Sequence, residues 1–192
     1  ARRDKNGGKT VLIEHCSPDI LQLLPMLLAK CGLLMVKLSP MLHWQLAIAQ
    51  LQEHGAWVSQ LHIVSAKNEC KELLFLITNG QNKEQSASLS TAQSLSLPAG
   101  QSEQLHPTPL ETPAPQQAAD AANSTLITCH NDGHSFQYSL AEADATPQTI
   151  LQTPPQAGMY LFEPNASIMK AGCFAQLCHM YALKGIARNS HL

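Results

Sequence analysis

Residues 80–124 constrain this chain more than any other feature. The stretch is built from Gln, Ser, Ala and Pro, holds no Phe, Trp or Tyr, and carries only five charges. Such a composition buries too little apolar area to offset the entropy of ordering a backbone. The reading is therefore a disordered low-complexity linker between two ordered segments, 1–79 and 125–192. Across all 192 residues, hydrophobic residues make up 44% and charged residues 14%, with a net charge of -2. That balance excludes a histone-like protein and argues against tight nonspecific nucleic-acid binding, while leaving room for a local basic patch.

The first segment reads as alternating helix and strand. Ser17-Pro18 serves as N-cap and first helical residue, and Gly32 as the stop. Between them Ile20, Leu21, Leu23, Leu24, Leu27 and Leu28 cover much of a helix surface, with a kink expected at Pro25. Leu33-Leu34-Met35-Val36 is short and apolar on both faces, which suits a central strand of a parallel sheet. Ser39-Pro40 repeats the start signal. Met41, Trp44, Ile48 and Leu51 follow at helical spacing, and Gly55 ends that helix. Residues 58–66 and 70–77 read as two strands joined by a turn at Lys67-Asn68-Glu69.

In the second segment Asn131-Asp132-Gly133 is a hairpin turn between 126–130 and 135–140. Met159 to Phe162 reads as a further short strand. Asn165 caps one long helix running through about Leu183. Two or three strands and a helix make a small α+β unit of ferredoxin-like type.

Few motifs carry chemistry. Gly8-Lys9-Thr10 ends like a phosphate-binding loop, but Arg3 stands where the first glycine is required, so a surface turn is the better reading. The six cysteines show no CxxC spacing, and Cys173, Cys178 and His179 do not share a helix face. They read as reduced structural thiols of a cytoplasmic protein, with no metal assigned. Glu69 and Glu72, interleaved with Lys67 and Lys71, read as a solvated hairpin end or, with Asn68, as a contact site. Lys37 and Ser39 sit where a parallel strand ends, which is where open α/β sheets bind ligands. Arg2 and Arg3 are either a frayed basic end or a clamp for a phosphate. No apolar run approaches a membrane span, and both ends of the chain look cut.

The chain resembles a bacterial family of class I S-adenosylmethionine (SAM) methyltransferases with a C-terminal THUMP-like domain. The resemblance lies in Ala1-Arg2-Arg3-Asp4 with Gly8-Lys9-Thr10, Cys16-Ser17-Pro18-Asp19, Val36 to Leu42, His62 to Val64, and Asn68 to Leu74. It continues in Glu163 to Gly172 and in Asn189-Ser190-His191-Leu192. It implies an α/β fold: the C-terminal half of a Rossmann-like sheet over 1–79, ending in an antiparallel hairpin, then a truncated ferredoxin-like unit over 125–192. It further implies that Ala1-Arg2-Arg3 is the tail of a loop facing the methyl acceptor, with Arg2 and Arg3 as catalytic-loop residues. The SAM-binding residues would lie mostly before Ala1, and His43 stands where the family carries Asp. Lys37, Ser39, Asn68, Glu69, Asn165, Lys170, Asn189, Ser190 and His191 are the implied substrate-binding positions. RNA is the implied substrate, with no sign of DNA or a membrane. The expectation is a fragment inactive alone. The rival readings are a non-catalytic RNA- or protein-binding adaptor and a metal-binding regulator.

Overall fold

A computed structural model of the chain describes residues 12–79 and 124–187. The expectations for the linker, for Arg2 and Arg3, and for Asn189, Ser190 and His191 fall outside the described residues. After a short 3-10 turn at Ile13–His15 come α1 (Ile20–Lys30), β1 (Leu33–Leu38), α2 (Trp44–Glu53), β2 (Ala56–Ala66) and β3 (Glu69–Asn79). The second segment supplies β4 (Leu126–Asn131), β5 (His134–Ser139), α3 (Leu140–Ala145), α4 (Ala166–Ala171) and α5 (Phe174–Met180). The strands form one mixed sheet in the order β1-β3-β2-β4-β5.

Several start signals act later than the sequence suggested. Asp19, not Ser17, caps α1: its carboxylate accepts from the amides of Leu21 at 3.0 Å and Gln22 at 3.4 Å. One carboxylate reaching two free amides outcompetes a hydroxyl that reaches one. The helix ends at Cys31 in extended backbone, so Gly32 is not its stop. His43 caps α2 through Nδ1, which accepts from the Leu46 amide at 3.4 Å, while Ser39 only turns the preceding loop onto Met41 at 3.3 Å. Gly55 does end α2, at φ 79°.

β1 is not a central parallel strand. It runs to Leu38, lies at the edge of the described sheet, and pairs antiparallel with β3. β3 doubles back from β2 and inserts between β1 and β2, which are parallel to each other without touching. The hairpin turn takes two residues, not three: Lys67 and Asn68 both hold φ 53°, as a type I′ turn demands. Asp132 and Gly133 do the same between β4 and β5. Leu140 leaves the strand and opens α3 behind a Ser139–Glu142 capping box. The single helix expected from Asn165 to Leu183 is two, because Gly172 takes φ 73° and closes α4. Met159 to Phe162 forms no strand; the Met159 amide instead closes a turn onto the Gln156 carbonyl at 3.2 Å.

The second segment extends the first segment's sheet. β4 runs parallel to β2, with Leu61 beside Ile127 and Ile63 beside Cys129. On this face Leu61, Ile63, Leu73, Phe75, Ile77, Ile127, Phe136 and Tyr138 join the buried residues of α1, α2 and α4 in one core. A bulge between Val58 and Gln60 lets Val58 and Leu61, an odd three apart, both point inward. The other face is open: Leu33 is 51% and Met35 62% exposed, and Leu74, Leu76, His62 and His130 are half-buried.

Phe75 is fully buried at the middle of the sheet. Phe75→Ala is expected to lower stability by about 3–5 kcal/mol, read as a reduced urea midpoint at unchanged slope.

Candidate functional site

The carboxyl ends of β1, β2 and β4 share one rim. At the end of β1 lies a cleft of about 470 Å³, lined among others by Cys16, Ser17, Lys37, Ser39, Lys71 and Glu72. β1 sets Lys37 on the open sheet face, where its ammonium meets the Glu72 carboxylate of β3 at 2.8 Å. The Lys37 side chain is 70% exposed and that of Glu72 33%, so this pair contributes under about 1 kcal/mol and can exchange for a ligand. Lys71 pairs in the same way with Glu69. Two sequence-nominated residues, Lys37 and Ser39, thus line the cleft. Cys16, Lys71 and Glu72 join them there, and Glu72 rather than Glu69 supplies the carboxylate. Strand alternation was the available signal, since Glu72, Leu74 and Leu76 follow one face of β3.

The other nominated residues sit away from the cleft and tie the two segments together. Asn68, at the β2–β3 tip, accepts from the Ala166 amide at 2.7 Å. Beside it the Lys67 amide donates to both Asp132 oxygens at 2.8 and 2.9 Å. Asn165 caps α4, accepting from Ser167 at 3.1 Å and Ile168 at 3.2 Å. Lys170 donates to the Leu42 carbonyl at 2.8 Å, and its own carbonyl accepts from the Trp44 indole at 3.2 Å. Burial holds the Lys170 ammonium below its ordinary pKa, while the Cys70 thiol opposes that shift.

Two further groups complete the inventory. Cys129, Cys173 and Tyr138 form a hydrogen-bonded cluster under the sheet. The bond to Cys173 first, and burial second, hold the Cys129 thiol far above its ordinary range. Burial does the same for the Tyr138 hydroxyl. The Cys173 thiol shifts the other way: its hydrogen bond with Cys129 lowers its pKa against the effect of burial. On the open face His62 Nδ1 lies 3.0 Å from His130 Nε2, and His62 Nε2 lies 3.1 Å from Gln60 Oε1. Burial, with mutual repulsion added at His62, lowers both imidazole pKa values. No local pattern announces this pair, because it depends on a parallel pairing that joins residues 68 apart. Among the described residues no group of three or more His, Cys, Asp and Glu converges on a metal position. No described helix is long and apolar enough to cross a membrane.

Beyond α5 lies a second, more apolar groove of about 890 Å³, walled by Met159 to Phe162, Phe174, Leu177 and Tyr181. Tyr160 is 89% exposed and Phe162 62%.

Comparison with known proteins meets this geometry at both ends of the chain. A ferredoxin-like domain family matches residues 160–192, the stretch that holds the second groove, α4 and α5. No curated protein matches the chain. A crystal structure of a "putative methyltransferase" from Porphyromonas gingivalis W83 superposes with a TM-score of 0.63 at 22% identity, over 94% of this chain. The chain spans 35% of that protein's length. At this identity the likeness is one of fold: a mixed α/β sheet carrying a ferredoxin-like element.

The two groups of nominated residues separate by stability. Asn165→Ala and Lys170→Met are each expected to lower stability by about 1–2 kcal/mol. Lys37→Ala, Ser39→Ala and Glu72→Gln are expected to change it by under about 1 kcal/mol. Thermal melts of the five variants check this.

Proposed function

We propose that this chain is the C-terminal portion of a class I SAM-dependent methyltransferase that modifies RNA in the cytoplasm. The observation that carries the reading is the cleft at the carboxyl end of β1. It combines an ion pair weak enough to open, a hydroxyl at Ser39, and the rim position at which α/β sheets bind ligands. The fold shared with the Porphyromonas protein supports it. So do the edge and face of β1 left open among the described residues, where Leu33 and Met35 stand exposed as they would beneath a further layer of the same protein.

SAM brings an already activated methyl group, so the protein must align an acceptor with it and exclude water. The one described crossover from strand to helix between parallel strands, Ser39 to His43, contains no glycine. The cradle for SAM is therefore assigned to the portion before Ala1, and this chain supplies the acceptor side. Glu72 accepts from an amino or hydroxyl group of the acceptor as Lys37 turns to an adjacent oxygen. The family resemblance gives Arg2 and Arg3 the role of holding a substrate phosphate. In the ferredoxin-like part, Tyr160 and Phe162 offer exposed aromatic faces on which unpaired bases stack. Asn189, Ser190 and His191 follow that surface in sequence.

The test compares the 192-residue chain with a protein extended at its N-terminus from the same reading frame. The extended protein is expected to bind SAM by calorimetry and to methylate RNA, and the chain alone to do neither. In the extended protein, Lys37→Ala and Glu72→Gln are expected to lower kcat/KM by about tenfold or more with SAM affinity unchanged. An extended protein that binds RNA and no SAM would establish the adaptor reading instead.

A further inference from the structure

The His62–His130 pair plays no part in the proposed methyl transfer. It lies on the open face of the sheet, on adjacent parallel strands, two residues out of register: Val64 is beside His130, and His62 is beside Thr128. The ring centroids are 5.3 Å apart and the rings 22° from coplanar. With nitrogens 3.0 Å apart, this is a head-to-head contact in which one ring donates and the other accepts. Gln60 decides which. Its carbonyl oxygen takes the proton on His62 Nε2, so His62 Nδ1 is left with a lone pair facing His130 Nε2.

We propose that His62 and His130 form a two-imidazole binding site for a divalent transition-metal cation such as zinc, with Gln60 as its positioning residue. The spacing is the argument. Metal–nitrogen bonds of about 2.0–2.1 Å that meet at 90–109° hold two ligating nitrogens about 2.9–3.4 Å apart. The pair already stands at 3.0 Å, held there by the hydrogen bond between the rings. The hydrogen bond from His62 Nε2 to an amide carbonyl is the outer contact that ligating histidines use to fix ring and tautomer. Loading requires each ring to turn about its last side-chain torsion, so that the lone pairs converge instead of facing. That torsion is broad for histidine, and both rings are half-exposed. His130 gives up its Nε2 proton and takes one on Nδ1 from solvent, so the ring stays neutral. Water completes the coordination, which leaves positions open to an incoming oxygen or nitrogen ligand.

The experiment is a titration of the full 192-residue chain with zinc chloride, followed by long-range proton–nitrogen spectra of the imidazoles. At one equivalent, His62 Nδ1 and His130 Nε2 are expected to move to metal-bound shifts before any other ring nitrogen. His62→Gln and His130→Gln are each expected to abolish the first binding event. Gln60→Leu is expected to weaken it about ten- to a hundredfold, a loss that a purely structural glutamine would not cause. The wild-type spectra need no variant to fold. Zinc that shifts other histidines or the cysteines while leaving His62 and His130 in place would overturn the proposal. So would equal first-site affinity in wild type and both histidine variants.

Discussion

The structure depends on one strand, β2, whose two edges are both satisfied by partners that the sequence supplies very differently. One edge meets β3 across a two-residue turn. The other meets β4 in parallel register, from Gln60 beside Leu126 to Ser65 beside Asn131. A contact between chain segments so distant must repay a large loss of chain entropy. Buried side chains do so. Thr125 donates to the Val58 carbonyl at 2.8 Å at one end of the seam. Ser65 donates to the His130 carbonyl at 2.8 Å and to Asn131 at 2.7 Å at the other. Between them Ile63 and Cys129, each at most 2% exposed, exclude water. Removing this seam would leave β2 an open edge and α4 without the floor on which Ile168 and Ala171 are buried.

Local pattern made most of this readable. Leu33 to Val36, 58–66, 70–77 and the two turns are strands and turns as their alternation and turn chemistry require. The errors cluster where a residue's local preference met a competing partner. Asp19 offered α1 a stronger cap than Ser17, and His43 took α2 from Ser39. Gly172 entered the left-handed region and divided a helix whose apolar face looked continuous. The edge position of β1 was hidden for another reason. Leu33 and Met35 are as apolar as central-strand residues, and nothing local reports that their face stays open among the described residues.

The candidate site divides in the same way. Lys37 and Ser39 were legible because a strand end is a local feature, and the ligand rim of an α/β sheet follows from it. Asn68 drew attention by being polar beside an apolar strand, Asn165 and Lys170 through the family resemblance. The structure explains that polarity by hydrogen bonds between segments, at 2.7 Å for Asn68 and 2.8 Å for Lys170. Glu72 was distinguishable from Glu69 only once the face of β3 was known. The His62–His130 contact is a product of tertiary register, and single-sequence periodicity carries no information about which strands become neighbours.

The path of the chain around β2 has a consequence for how such a protein can vary. Asn79 ends β3 opposite Ala56, and Leu126 opens β4 opposite Gln60. Asn79 lies at the amino end of β2, and Leu126 lies four residues further along, on its other edge. The intervening tract joins strands on the two sides of β2, at points four residues out of step along it. Closing such an excursion costs about 0.6 kcal/mol for each doubling of its length. Evolution can lengthen or trim that tract, or graft a foreign sequence into it, at small thermodynamic expense.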